Sequence, residues 1–186
     1  MEKKNIFSTG TEPSLREVLK TRENRARLEQ SLVKRFLSPV LAFKLNIPGP
    51  VKNNDIIRQV FQKGCQEIQD VLSKHQWWTL YEKLLDLKTG PEYFCVVDIE
   101  DVKMLKIEMI QLEESPLGRL YDIDILHTGK DGITSIERIE LGFSPRKCFI
   151  CKKNAKECGR NRTHSVQEMQ QKLEEIILKD GSMKVW

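Results

Sequence analysis

Apolar and polar positions change period several times along this chain, and each change marks an element. Ser14-Leu-Arg-Glu17 is a capping box. Leu15, Val18, Leu19, Ala26, Leu32, Val33 and Phe36 then recur at helical spacing, predicting a helix to about Phe36. Arg22, Arg25 and Glu29 interrupt that stripe; such residues are either anion ligands held on rigid backbone or snorkelling, ion-paired side chains. Beyond Pro39 the period falls to two. Leu41, Phe43, Leu45 and Ile47 alternate with Ala42, Lys44 and Asn46, as in a strand. Asn46-Ile-Pro-Gly-Pro-Val-Lys-Asn53 is a stiff turn, and Asn53, Asn54 or Asp55 should cap the next helix. That helix, to about Lys74, buries Ile57, Val60, Phe61, Cys65, Ile68 and Leu72. Trp77 to Lys88 and Tyr93 to Val97, joined at Gly90-Pro91, predict a hairpin. Asp98 or Asp101 should cap a helix to about Glu113, with Val102, Leu105, Met109 and Leu112 inward.

The next stretch, Pro116-Leu-Gly-Arg-Leu-Tyr-Asp-Ile-Asp-Ile-Leu126, reads as a tight turn followed by a strand. Alternation puts Leu120, Asp122, Asp124 and Leu126 on one face and Tyr121, Ile123 and Ile125 on the other. Two carboxylates at i and i+2 in an apolar strand repel each other, and burial raises the cost. Their Cα atoms lie roughly 6.5–7 Å apart, so both side chains can converge on one Mg²⁺, an ion that typically takes one or two carboxylates plus substrate phosphates. Glu113 or Glu114 would be either a third carboxylate for the metal or a solvated helix end. The alternative is an edge strand with its polar face in water. His127 to Gly132 is turn chemistry, and Ile133 to Leu141 should return antiparallel.

Arg146 to His164 carries the spacing C-x2-C-x6-C-x5-H over Cys148, Cys151, Cys158 and His164. Three thiols and an imidazole are a legitimate Zn²⁺ set; a compact pair of turns with free thiols is the alternative. Ser165-Val-Gln-Glu168 is a second capping box, opening a terminal helix with Val166, Met169, Leu173, Ile176 and Ile177 inward. His164, just before it, is a candidate zinc ligand, phosphate donor or general base. Five Cys in 186 residues suit free thiols or a metal site better than a disulfide framework.

Charge adds an arrangement that periodicity misses. The net +4 divides into +7 over residues 1–64, −8 over 65–144 and +5 over 145–186. An acidic middle between basic ends suits a cation together with a polyphosphate, or only solvated faces. No run of 18 apolar residues predicts a membrane span, and Met1-Glu-Lys-Lys-Asn-Ile-Phe lacks an apolar signal core. The expectation is a cytoplasmic protein without membrane contact. The expected organisation is a frayed lead-in over 1–13, a single α+β domain over 14–180 with a basic, cysteine-bearing segment at 146–164, and a tail over 181–186. Its sheet would be mixed or antiparallel with flanking helices.

Four ordered motifs together resemble one family: Leu15-Arg-Glu-Val-Leu19 with Arg22, Glu23 and Arg25; Asn46 to Asn53; Pro116 to Asp124; and Arg146-Lys-Cys-Phe-Ile-Cys with Cys158, Arg160 and His164. The chain is similar, from about residue 14 to 178, to the apo-citrate lyase phosphoribosyl-dephospho-CoA transferases, also called citrate lyase holo-acyl-carrier-protein synthases (the CitX family). The resemblance implies a nucleotidyltransferase-like enzyme. It would join the prosthetic group of triphosphoribosyl-dephospho-CoA to a serine of the apo acyl-carrier (gamma) subunit of citrate lyase, releasing pyrophosphate. The nucleophile belongs to the partner. Asp122 and Asp124 would then hold Mg²⁺, and Arg119, Lys52, Arg58, Arg146, Arg160 and Arg162 are the candidates to clamp phosphates. His164 is the candidate base. The basic ends would suit an acidic carrier protein, and no nucleic-acid partner is expected. Alternatives are the equivalent transferase for malonate decarboxylase, a non-enzymatic assembly factor, or a zinc-bearing nucleic-acid-binding protein. The last leaves the D-x-D strand unexplained and has only Phe149 to stack on bases within the basic run.

Overall fold

The structure is a computed structural model describing residues 6–183. Its framework is an antiparallel five-stranded sheet with the order β2-β3-β1-β4-β5. The strands are β1 (Val40–Leu45), β2 (Trp78–Leu87), β3 (Gly90–Asp98), β4 (Tyr121–Gly129) and β5 (Gly132–Ser135). The helices are α1 (Leu15–Phe36), α2 (Asp55–Lys74), α3 (Val102–Glu114), α4 (Ala155–Asn161) and α5 (Val166–Asp180). Both Ser14 and Ser165 complete their capping boxes, and Asn54 and Asp101 cap α2 and α3. These caps satisfy N–H groups that a helix start leaves orphaned.

Alternation divides the sheet into two unequal faces. Leu41, Phe43, Tyr93, Cys95, Tyr121 and Ile123 face α2, α3 and α5 in the larger core. Val40, Ala42, Phe94 and Val96 meet Leu32 and Val33, with Leu28 and Phe36, from the second half of α1 in the smaller one. The first half of α1 therefore has little apolar sheet beneath it. Leu15 and Leu19, expected inside, are 74% and 55% exposed. That half overhangs the polar end of β1, β3 and β4, and so roofs the site described below.

Several boundaries differ from the expectations. Leu120 does not share a face with Asp122: it closes a 3-10 turn at Gly118–Leu120 and joins the larger core. Periodicity cannot show that the chain twists before the strand starts. The turn is tight because a Cβ at Gly118 would meet the Leu112 carbonyl oxygen. The return strand spans only Gly132–Ser135, after which a 3-10 turn (Arg138–Leu141) replaces the predicted strand. The expected lead-in is packed from Ile6 onward, with Ile6 and Phe7 in the core and Thr11 bridged to Asn53; residues 1–5 and 184–186 lie outside the described part. The short α4 has no apolar stripe and is not visible in the hydrophobic pattern. Cys65 is a buried core residue, as expected, and Cys95 is buried too. Among the described residues no helix is long and apolar enough to cross a membrane.

On the edge away from β1, the first half of β4 has no neighbouring strand, and side chains take that role. The Ile123 N–H donates to Glu113 Oε1 at 2.9 Å, Lys106 Nζ donates to the Ile123 carbonyl at 2.6 Å, and Arg146 donates to the Tyr121 carbonyl at 2.6 Å. An exposed edge is thus sealed, and Asp122 sits on a strand fixed from both sides.

Beneath it, the Phe43 ring stacks on Phe61 at 4.9 Å and meets Tyr121 edge-on at 5.2 Å. Gly64 of α2 makes room for that cluster, since an added Cβ would lie 2.5 Å from Phe43 Cζ. Alanine is the better helix former by about 1 kcal/mol, but overpacking costs roughly 1–3 kcal/mol. The buried ring has nowhere to go, so Gly64→Ala is expected to lower stability by about 1–2 kcal/mol in urea unfolding. A stabilised variant would show that the ring is free to shift.

Candidate active site

Antiparallel pairing builds the site. Lys44 of β1 stands opposite Glu92 of β3 on one side and Asp122 of β4 on the other; Asp124 stands opposite the small Ala42. The result is a charge-alternating row, Glu92–Lys44–Asp122, across the sheet. Lys44 Nζ lies 2.7 Å from Asp122 Oδ2 and 3.1 Å from Asp124 Oδ2. The two carboxylates therefore do converge on one cationic point. Arg25 of α1 closes the other end, its Nε 2.9 Å from the nearly buried Glu92 carboxylate.

Burial alone would pull the Lys44 ammonium down, but Asp122 and Asp124 more than reverse this and hold it above its ordinary value. Burial pushes the Asp122 carboxyl up, and Lys44, with Arg146 and Lys106, brings it below the usual range. Glu29, one turn beyond Arg25 on α1, behaves oppositely. Burial, aided by the Asp124 charge and opposed by Arg25, raises its carboxyl from 4.5 to about 7. The folded protein keeps that proton up to about 7 whereas the unfolded chain releases it near 4.5, so this group makes stability fall as pH rises across the window. Glu29→Gln should flatten the decline, read as Tm at a series of pH values. An unchanged slope would place the carboxyl in water.

A cleft of about 230 Å³ opens between α1, the end of β1 and the β2–β3 turn, with Arg22, Arg25, Lys44, Lys52, Glu92 and Asp122 among its lining residues. Lys52 Nζ donates to the Ile47 carbonyl at 2.6 Å. Burial, and then the Arg22 charge, lower its affinity for a proton. Among the described residues no ion pair compensates Arg22 or Lys52. Two cations crowded without an acid form a seat for an anion, beside a pair of carboxylates suited to a cation.

The predicted site residues divide among three places. Asp122, Asp124 and Lys52 share this cleft region. The α2 N-terminus is not an open seat for phosphate: Asn54 caps it and also bonds the Ile6 and Thr9 carbonyls. Arg58 is held by Asp55 and Asn53. Arg119 and Arg146 line a second, wider cleft of about 680 Å³ with Lys147, Cys148, Phe149 and Lys152. There Arg119 lies over the Phe149 ring at 5.3 Å and bonds the Lys147 carbonyl. Arg146 pairs with the buried Glu113, and Glu114 pairs with Arg138 at 2.8 Å. Neither glutamate joins the D-x-D pair: α3 holds them on the opposite side of β4. Arg160 and Arg162 are exposed and line neither cleft.

The third place is the cysteine segment. The ligand atoms of Cys148, Cys151, Cys158 and His164 all lie within 4.8 Å of one another, a group that could hold a metal ion. The hydrogen bond to His164 draws the Cys151 thiol down to about 6, and the Cys151 sulfur pushes Cys158 up to about 11. His164 thus belongs with the thiols and does not line the D-x-D cleft.

Lys44 and Glu92 were missed as site residues. Lys44 stood in the polar set of a predicted strand, but only the pairing of β1 between β3 and β4 reveals its partners. Arg22, Arg25 and Glu29 were visible as interruptions of the α1 stripe; Arg25 is ion-paired, whereas Arg22 stands free over the cleft.

Known proteins resemble this chain over nearly its full length. A model described as apo-citrate lyase phosphoribosyl-dephospho-CoA transferase matches residues 13–180. A protein of Streptococcus pyogenes serotype M3, described as a probable apo-citrate lyase phosphoribosyl-dephospho-CoA transferase, is 39% identical over 176 residues, covering 94% of this chain and 90% of its own. One of the same description from Vibrio cholerae serotype O1 is 37% identical over 164 residues, covering 88% and 90%. The chain belongs to the family of apo-citrate lyase phosphoribosyl-dephospho-CoA transferases.

Proposed function

We propose that this protein transfers the phosphoribosyl-dephospho-CoA group from triphosphoribosyl-dephospho-CoA to a serine of the apo acyl-carrier subunit of citrate lyase, in the cleft roofed by α1. The observation that carries the placement is the uncompensated pair Arg22 and Lys52 beside Asp122, Asp124 and Lys44. In the reaction the serine oxygen forms a bond to the α-phosphorus, the bond from that phosphorus to the bridging oxygen breaks, and pyrophosphate leaves. Such a transfer asks a protein for positioning and charge neutralisation. Arg22 and Lys52 take the β- and γ-phosphates and hold the negative charge of the departing pyrophosphate. Arg25, anchored to Glu92, keeps α1 over the cleft. The serine proton is released to water; Glu29, one turn beyond Arg25 on α1, is not among the cleft's lining residues.

Asp122 and Asp124 fit Mg²⁺, because their oxygens already converge on the single cationic atom of Lys44. Phosphate oxygens and water would complete the shell. When bound, Mg²⁺ would neutralise charge on the transferring phosphoryl group. Lys44 holds the carboxylates charged and aimed at the cleft until then.

The reaction is tested by the intact mass of apo carrier subunit after incubation with protein, triphosphoribosyl-dephospho-CoA and Mg²⁺. A gain equal to the prosthetic group, absent with EDTA, is expected. A gain only on the malonate decarboxylase carrier would change the acceptor, and no gain on either would overturn the reading.

A further inference from the structure

We infer that Cys148, Cys151, Cys158 and His164 hold a structural Zn²⁺ ion that fastens the basic segment, and with it Arg146 and Arg119, to the start of β4. Three features of the backbone prepare the site. Cys148 and Cys151 flank a tight turn in which the Ile150 N–H points at Cys148 Sγ at 3.5 Å and Lys152 takes the left-handed conformation, φ 60°. A bridge between Lys147 and Asn154, with the Cys148 N–H donating to the Lys153 carbonyl at 2.7 Å, closes that turn. Cys158 comes from α4. Arg162 in left-handed conformation reverses the chain after α4, and the Thr163 N–H returns to the Cys158 carbonyl at 3.1 Å, which brings in His164.

The ligand geometry suits one ion. Zinc–sulfur bonds of about 2.3 Å put tetrahedral ligand sulfurs roughly 3.8 Å apart, and all four ligand atoms here lie within 4.8 Å of one another. Cys151 and Cys158 sulfurs are 3.4 Å apart, well beyond the roughly 2.05 Å of a disulfide; such a bond would also leave Cys148 and His164 without a role. The independent sign is His164 Nε2, a buried atom with no hydrogen-bond partner. A buried ring nitrogen left without a partner is costly unless something coordinates it.

Two further arguments converge. The segment from Arg146 to His164 has seven basic residues and one acid. Three thiolates and a neutral imidazole around Zn²⁺ carry a single net negative charge, which offsets part of that excess. Cys148 and Cys158 are buried yet belong to neither hydrophobic core. The seven-residue α4 is too short to persist by itself; an ion supplies the folding energy that apolar burial does not. With four protein ligands the ion has no open position, so its role is to hold the segment. What it holds is specific: the Arg146 guanidinium reaches Glu113 and the Tyr121 carbonyl, and the Lys147 carbonyl receives Arg119.

The test uses the full chain. Purified protein should carry one zinc per chain by mass-spectrometric metal analysis. Chelator-stripped protein titrated with Co²⁺ should show the intense visible bands of a tetrahedral cobalt thiolate. Cys158→Ser and His164→Ala should lose or weaken them, and Cys65→Ser should retain them. Since ligand variants can fail to fold, the wild type supplies a second readout. Cys148, Cys151 and Cys158 should resist alkylation with zinc bound, and all three should react once it is removed. Proteolysis within residues 146–164 should accelerate in parallel. Sub-stoichiometric zinc with Co²⁺ spectra lacking those bands, or a protein two hydrogens lighter with Cys151 joined to Cys158, would overturn the inference. Neither readout depends on catalysis, so failure here is separable from failure of the proposed transfer.

Discussion

Asp122→Asn is expected to lower transfer to the carrier subunit by about 10³-fold, near 4 kcal/mol of transition-state stabilisation. The substitution preserves shape and leaves an oxygen that Lys44 can still bond, so the fold should persist. What it removes is charge. Asp122 is the carboxylate closest to Lys44, at 2.7 Å, and Lys44, Arg146 and Lys106 outweigh burial to hold it below the usual carboxylate range. With it neutral, the cation seat has only Asp124, and Lys44 loses the stronger of its two anchors. The rate is read as mass gain of the carrier against time, with Tm as the control for folding. Transfer within a factor of two of wild type, at unchanged Tm, would mean that the D-x-D strand is only a surface feature.

Glu113→Ala should produce the largest loss of stability, roughly 3–5 kcal/mol. Glu113 is 3% exposed. It accepts the Ile123 N–H and pairs with Arg146, with Lys106 bonded to the same residue's carbonyl on the strand edge. Removing the carboxylate leaves the Ile123 N–H unpaired and Arg146 without its acid in a half-sealed site, where lost partners cost more than the pair itself contributes. For a domain of this size each kcal/mol moves Tm by about 2–4 °C, so a fall of roughly 10 °C is expected by calorimetry. A shift below about 2 °C would show that water reaches the edge and replaces the carboxylate. The variant also separates two roles: Glu113 supports β4 from the side opposite the cleft, so residual transfer at low temperature should exceed that of Asp122→Asn.

The elements were legible where the chemistry is local. Capping boxes at Ser14 and Ser165, alternation in β1 and the hairpin of β2 and β3 each follow from residues a few positions apart. The D-x-D pair and the C-x2-C-x6-C-x5-H group were legible for the same reason, since spacing alone brings their side chains together. Long-range partners were not. Lys44 is 78 residues from Asp122, and only the placement of β1 between β3 and β4 joins them. Glu113 stood as a third carboxylate for the cation; it does bond the D-x-D strand, at the Ile123 N–H, but from the side away from the cleft. The exposed leucines of α1 show another limit of periodicity. A stripe says which face is apolar but not how far the sheet beneath it extends. Arg58, Arg160 and Arg162 show the matching limit of charge counting, because a cation's usefulness depends on whether an acid already occupies it or a cleft lies beside it.

The most direct measurement is calorimetric titration of triphosphoribosyl-dephospho-CoA, with Mg²⁺ present, into wild type, Arg22→Ala and Arg160→Ala. If the cleft beneath α1 seats the triphosphate, Arg22→Ala should weaken binding about tenfold, a loss of about 1.4 kcal/mol, with Arg160→Ala unchanged. Undiminished binding by Arg22→Ala together with loss in Arg160→Ala would move the substrate to the basic segment and contradict the account.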